Sequence, residues 1–392
     1  MLFAHPEHPG RHVRLGYCLN LHAAESLSEL LGSLRDVTLP LRDRFAPTGL
    51  FGVGMYLPAK LARHLLSEEG AGDLERLRSF LEEERLDPFT YNAFPYGDFQ
   101  TDGLKERVYE PLWTDAARAR YTLDVARLAQ LLTGQVEPRS HISISTHGGR
   151  YGPWEDGERR RAIGQYREVL EAVEALDGPP IALSIEAEPC SSASDTFAAA
   201  ALVTELASSH LGLCLDCCHS AVEFEDVDAA VGACLEAGLG KLQFSSALRL
   251  ESPGANPEGV AALLALDEPR FLHQVITEDP DCRASDLSDL PAALSEDAWL
   301  SKEEWRCHFH VPVDMDQFEG LGTTSFHADS VVNALFAKAE QWTWPELHLE
   351  IETYTWSVLP GTPSTSADLV DALEREYRHV LALLGAGGWL PA

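Results

Sequence analysis

The sequence predicts a (β/α)8 TIM barrel, and three observations point there. Short apolar runs alternate with longer runs of helical period along nearly all of the 392 residues. Several short runs, such as Ile181-Ala-Leu-Ser-Ile185 and Leu211-Gly-Leu-Cys-Leu215, are almost wholly apolar, which suits a parallel sheet covered by helices on its outer face. The competing architecture, the doubly wound sheet, usually carries a glycine-rich phosphate turn after its first strand. Here that position reads Cys18-Leu-Asn-Leu-His22, with no GxGxxG or GxxxxGK nearby.

Strands are expected at Val13–Leu19, Leu50–Leu57, Pro88–Ala93, His141–Thr146, Ile181–Glu186, Leu211–Asp216, Lys241–Ser245, Cys307–Val313 and Leu347–Thr353. Between them, Ala116–Leu132 repeats apolar residues every three to four positions. Ser366–Leu384 does so most clearly, with Leu369, Leu373, Tyr377, Val380, Leu381 and Leu384 on one stripe and Gly385 as a stop. Nine strands are one too many for eight. The surplus falls between Lys241 and Leu347, where Glu251–Glu304 is acidic and interrupted by Pro253, Pro257, Pro269, Pro280 and Pro291. That stretch reads as an insertion with one or two helices, followed by an extra strand, between barrel strands seven and eight. With no linker or low-complexity tract, one domain over residues 1–392 is expected, with the barrel at about 13–384 and the insertion at about 251–304.

Composition narrows the function. The formal net charge is −32, from 30 Lys+Arg against 62 Asp+Glu, and a surface that acidic repels nucleic-acid backbones and anionic lipid. No apolar run reaches the ~18 residues of a membrane span, and Met1–Arg14 lacks the apolar core of a signal peptide, so a cytoplasmic location is expected. Cys214-x-x-Cys217 has redox or zinc spacing, but it lacks a second pair and lies in a strand-like run. Buried free thiols in a reducing compartment are the expectation for the cysteines.

In a barrel, catalytic groups sit at the C-terminal strand ends. There the sequence places Glu186-Ala-Glu188, Asp216-Cys-Cys-His219, Gln243 and Glu350-Ile-Glu352, with His308-Phe-His310 on the extra strand. Acids inside apolar strands are costly to bury unless a cation, a proton or hydrogen bonds neutralise them. Several converging on one barrel mouth point to a metal ion. Strand geometry leaves open which of Glu186 and Glu188, His308 and His310, and Glu350 and Glu352 faces the site. Tyr91, Asn92, Phe94 and Tyr96 offer an aromatic, hydrogen-bonding wall for a sugar face, and His147, before Gly148-Gly149, is a further mouth candidate.

Leu213-Cys-Leu-Asp-Cys-Cys-His219 resembles the strand-six signature of the xylose isomerase-like TIM barrels, which include endonuclease IV, tagatose and psicose epimerases and inosose dehydratases. Glu186, Asp216 and Glu352 match the Glu, Asp and Glu that end strands five, six and eight there. The resemblance implies that Asp216 is a metal ligand, and that His219 is a second-metal ligand, as in the nuclease, or a sugar contact, as in the epimerases. More narrowly, Tyr17-Cys-Leu-Asn-Leu-His22, Tyr91-Asn-Ala-Phe-Pro-Tyr-Gly97, Ser143-Ile-Ser-Thr146, Glu186-Ala-Glu-Pro189, His308-Phe-His-Val-Pro312 and Glu350-Ile-Glu-Thr-Tyr-Thr-Trp356 resemble the EboE family of metabolite traffic proteins. That family is encoded beside a cyclitol synthase, a prenyltransferase and a hydrolase, so a sugar- or cyclitol-like ligand is implied, as are partner proteins of the same pathway. One position departs: where epimerases place a metal-binding His after strand seven, this chain has Gln243. A Gln carbonyl suits Mg2+ or Mn2+ better than zinc, and His310, with His308 beside it, is expected to supply the missing nitrogen.

The resulting expectation is one divalent ion (Mn, Mg, Zn, Fe or Co) held by Glu186, Asp216, His310 and Glu352. By resemblance to the epimerases, Glu186 and Glu352 would also move the proton beside a carbonyl or hydroxyl held by that ion, with His219 on a substrate hydroxyl. Tyr91, Asn92, Tyr96, Glu188 and His147 are the further substrate contacts expected. The reaction is then isomerisation or epimerisation of a polyol, sugar or cyclitol. A non-catalytic carrier or scaffold of the EboE type is the alternative. An endonuclease IV-like phosphodiester hydrolase is a third reading, opposed by the charge and by the absence of histidines at the ends of strands two and three.

Overall fold

In the computed structural model, residues 1–22, 24–133, 139–294, 297–361 and 363–392 are described. Eight strands form the barrel: β1 (His12–Cys18), β2 (Phe51–Tyr56), β3 (Leu86–Asn92), β4 (Ile142–His147), β5 (Ile181–Glu186), β6 (Leu211–Asp216), β7 (Leu239–Phe244) and β8 (Glu346–Ile351). Each pairs in parallel with the next, and β8 returns to β1 with Glu346 opposite His12 and Ile351 opposite Tyr17, closing the cylinder. Helices such as Ala116–Leu132, Glu158–Glu174 and Thr196–Leu206 connect the strands and cover their outer faces, which is why those faces are apolar. The short strand Leu2–Ala4 runs antiparallel to β1 and pairs with Leu390–Pro391, an arrangement too short to show any sequence period.

The excursion between β7 and β8 is larger than its sequence pattern indicates. The chain leaves the barrel at Ser246–Glu251, five residues before the acidic stretch begins, and builds a six-stranded antiparallel sheet. Glu304–Val311 is the expected extra strand, and it pairs with both Ser246–Glu251 and Val275–Ile276. The other members, Arg283–Ala284, Gln317–Phe318 and Leu321–Thr323, have two or three residues each and leave no period to read. Residues 295 and 296 of the insertion lie outside the described residues.

The barrel interior is polar. Near the bottom, Arg14 bonds Glu346 and Asp87, with Nε–Oε2 and Nη1–Oδ2 distances of 2.7 Å each. Above them, Lys241 Nζ lies 2.5 Å from Glu350 Oε2, and neither side chain has any exposure. Room for Glu350 comes from β2, where a Cβ added at Gly54 would fall 1.5 Å from Glu350 Oε1. Gly54→Ala is therefore expected to lower stability by about 1–3 kcal/mol through overpacking. Urea denaturation checks this, and an unchanged midpoint would contradict it.

The last helix, Ser366–Ala386, starts with a capping box in which Thr365 and Asp368 exchange hydrogen bonds. It continues through Gly385, the expected stop, and ends at Gly387 and Gly388, where φ is +81° and the Trp389 amide returns to the Leu384 carbonyl. Its Glu376 is fully buried and accepts from Thr353 Oγ1 (2.6 Å) and Trp356 Nε1 (3.3 Å), just beyond β8. Burial pushes this carboxyl up to about 8, which outweighs the two donors. The folded state thus binds a proton that the unfolded state has released. The stability this supplies is full below the unfolded carboxyl range and is lost as pH rises toward 8. Glu376→Gln is expected to raise the melting temperature at pH 8.5 and to change it little at pH 4.5. A pH-independent effect would sink that account.

Candidate metal centre

The ends of β5, β6 and β8 and the inserted strand meet at the C-terminal mouth. Asp216, the last residue of β6, caps the short helix Cys217–Val222 by accepting the His219 amide at 2.9 Å. That cap puts His219 one turn along, where its Nδ1 donates to the Ala187 carbonyl beyond β5 at 2.8 Å. Glu186 closes β5, and Glu188 follows in the loop. Glu352, one residue past β8, accepts from Asn20 Nδ2 at 2.8 Å and Asn92 Nδ2 at 3.0 Å. Strand alternation sends His308 and His310 from Glu304–Val311 to the same face.

The three imidazoles converge. Their Nε2 atoms form a triangle with sides of 3.1, 3.1 and 2.9 Å between His219, His308 and His310. Every Nδ1 meets an acceptor: the Ala187 carbonyl for His219, Gln274 Oε1 at 2.5 Å for His308, and the Glu352 carbonyl at 3.0 Å for His310. Carbonyl oxygens only accept, so each ring donates from Nδ1, and the neutral rings turn an Nε2 lone pair inward; His219 Nε2 also lies 3.2 Å from Glu188 Oε2. Imidazole lone pairs that face one another repel unless a cation or a shared proton lies among them. Nitrogens about 2.0–2.1 Å from a tetrahedral ion lie about 3.3 Å apart, close to the spacing seen. Beside them, the ligand atoms of Glu186, Asp216 and Glu352 lie within 4.8 Å of one another, and Asp216 forms a second such group with His219 and His310. Glu186 Oε2 and Asp216 Oδ2 are buried without a hydrogen-bond partner. These donors fit a divalent cation.

Electrostatics point the same way. Glu186 and Glu352 are held well above the usual carboxylate range, first by burial and then by neighbouring acids, Glu352 for the former and Asp216 for both. Glu188 rises to about 7 through burial, against the pull of His219. Burial drives His308 well down, and takes His310 to about 4 against the attraction of Asp216, so both rings are neutral near pH 7. His219 is raised, because the charges of Asp216 and Glu188 outweigh a burial effect that alone would lower it.

The structure brings together Glu186, Glu188, Asp216, His219, His308, His310, Glu352 and Asn92. Both members of the glutamate and histidine pairs take part, since Glu188 lies beyond the strand where alternation no longer applies. Glu350 sits one pleat deeper with Lys241. Four expected residues fall outside. Gln243 accepts from the buried thiol of Cys214 at 2.8 Å, below the mouth, and the inserted strand supplies nitrogen where β7 does not. Tyr91 points out of the barrel to Thr133 Oγ1 at 3.3 Å, because its neighbour Asn92 takes the inward position. Tyr96 packs on Tyr121 beside a separate surface hollow. His147 lies behind Phe94, between that ring and Tyr109.

A narrow cleft, in part open to solvent, rises from this floor. Sequence reasoning missed much of its lining. Asn20, Phe99 and Tyr354 also belong to the lining. Phe271 and Leu272 come from the insertion, where Phe271-Leu-His-Gln-Val-Ile276 is an acid-free run inside an acidic stretch. That contrast was the available signal.

The fold is that of a closed (β/α)8 TIM barrel, and solved structures described as xylose isomerase-like share it. Among solved structures, one similar chain is a xylose isomerase-like TIM barrel protein from Mycobacterium smegmatis in complex with magnesium, at 10% identity and TM-score 0.53, covering 96% of this chain and 97% of that one. Another is D-psicose 3-epimerase with D-tagatose from Clostridium cellulolyticum H10, at 11% identity and TM-score 0.50, covering 94% and 99%. No family model matches the chain, and no curated protein sequence matches it.

Proposed function

We propose that the protein is a metal-dependent isomerase or epimerase that moves a proton on a small metabolite bearing a carbonyl next to a hydroxyl-bearing carbon. The observation that carries this reading is the buried donor set itself: three carboxylates and three imidazoles facing one another, with two carboxylate oxygens unpartnered. Glu186, Asp216, Glu352 and His310 would hold the ion, with His219 and His308 beside them. A divalent cation bound there supplies electrophilic polarisation of the substrate oxygens. Burial and neighbouring acids raise Glu186 and Glu352 above the usual carboxylate range, and these two groups would take and return the proton. Asn20 and Asn92 orient Glu352 through its Oε1, which leaves Oε2 for the substrate's carbon-bound proton. Glu188 and His219 offer hydrogen bonds to a substrate hydroxyl from the opposite wall.

The EboE resemblance supports a metabolite ligand, since every motif segment that carries it except Ser143–Thr146 contributes to the cavity lining. The test is exchange of substrate carbon-bound hydrogen with deuterated solvent across a panel of ketoses and inososes, with metal content measured in parallel. Exchange that requires the metal and is lost in Glu352→Gln is the expected result. No exchange across the panel by metal-replete protein would overturn the reading.

A further inference from the structure

The cavity has two zones of different chemistry. Its floor is polar, lined by Asn20, Glu186, Glu188, His219, His308, His310 and Glu352, and two buried oxygens without a partner, Asn20 Oδ1 and Glu186 Oε2, belong to residues of that floor. The upper wall is different. It is made by the segment after β3, with Phe94, Phe99, Leu104 and Val108, and by the insertion, with Phe271 and Leu272.

These two segments are joined across the mouth. The Gly103 amide donates to the Pro269 carbonyl at 2.7 Å, and the Lys105 amide to the Arg270 carbonyl at 2.9 Å. Lys105 and Arg270 are the cations that reach the cavity, and both are engaged. Lys105 Nζ bonds Asp286 at 2.8 Å, and Arg270 pairs with Asp102 at 3.0 Å and donates to Ser357 Oγ at 2.9 Å. The upper wall thus presents phenyl and aliphatic surface, and its charged groups are already satisfied.

A polyol chain standing on this floor would carry its outer hydroxyls into that zone. Each hydroxyl buried there without a partner weakens binding by about tenfold, so two or three of them cancel the gain from contacts at the floor. An apolar body in the same space gains instead from the surface it removes from water. We infer that the substrate is not a bare sugar but a two-part molecule, with a hydroxy-carbonyl or vicinal-diol head on the floor and an apolar body under the Phe99–Phe271 wall. This inference rests on the metal-dependent reading above and narrows its substrate class.

Two probes with one head and one chain length separate the possibilities. Hexanohydroxamate and gluconohydroxamate both carry a metal-chelating hydroxamate on six carbons, and only the second bears hydroxyls along the chain. Binding to the metal-replete, full-length protein is measured by titration calorimetry. Hexanohydroxamate is expected to bind at least about tenfold more tightly, the preference of an apolar wall for an alkyl chain. In Phe99→Ala and Phe271→Ala that advantage shrinks, while gluconohydroxamate affinity stays unchanged. Equal affinity, or a preference for gluconohydroxamate, overturns the two-part substrate and leaves the metal centre standing. An advantage that persists undiminished in both variants overturns it as well, because the gain then arises elsewhere. Failure of both probes to bind removes the metal reading and this inference with it.

Discussion

Asp216→Asn is expected to strip the centre of its metal and to lower solvent exchange by about 10³-fold, within the range that acid–base and metal contributions span. The substitution separates two jobs that one side chain performs. Oδ1 caps the helix Cys217–Val222 through the His219 amide, and Oδ2 is the buried oxygen without a partner. Asparagine keeps an acceptor for the cap at the same place, so His219 stays where it is. What is lost is the charge in the one group that belongs to both the carboxylate set and the histidine set. The same loss relieves Glu186 and Glu352, each of which is raised in part by Asp216. Metal-free Asp216→Asn should therefore melt at or above the temperature of metal-free native protein, while its metal content falls below about a tenth of the native level, as loss of a charged ligand requires. Elemental analysis and thermal melts of the same samples check both halves. Native metal content in the variant would mean that the ion does not need this carboxylate.

The parts of the molecule that the sequence made legible share a physical cause. Strands covered by helices are apolar at least on their outer face, and Ile181–Ile185 and Leu211–Leu215 are so on both, so the eight barrel strands stood out, and acids at their ends stood out as groups too costly to bury without a purpose. Glu186, Asp216 and Glu352 were visible for that reason. The inserted sheet was not, because Val275–Ile276 and Arg283–Ala284 are too short to show alternation and Ser246–Glu251 follows β7 after a single residue. Gln243, near the end of β7, accepts from the Cys214 thiol, while the imidazoles that meet at the mouth come from His219 and from a strand outside the barrel, which the strand-end pattern alone does not reveal. The apolar wall was hidden because Phe99 and Phe271 meet across more than 170 positions of sequence, with a ring separation of 5.1 Å.

Lys241→Met is expected to destabilise the protein by about 3–5 kcal/mol, the usual cost of leaving one member of a buried ion pair alone. Lys241 and Glu350 have no exposure, and β2 gives up its side chain at Gly54 to make room for the carboxylate. Without the ammonium, Glu350 has no water to turn to and lies beneath Glu352, whose carboxyl it already pushes up. Lys241 lowers both Glu186 and Glu352, so it offsets the floor acids as well as its direct partner. The double variant Lys241→Met/Glu350→Met removes both charges together and should recover most of the loss, since an apolar pair of similar volume replaces a buried ion pair at little net cost. The floor acids would then lose the offset that Lys241 provides, and a cation held there would carry more of the compensation. Chelation should accordingly destabilise the double variant more than the native chain, and urea denaturation with and without EDTA measures that difference. A single variant as stable as the native protein would mean that Glu350 finds another partner or takes up a proton without cost, and the interior charge balance described for this barrel would not hold.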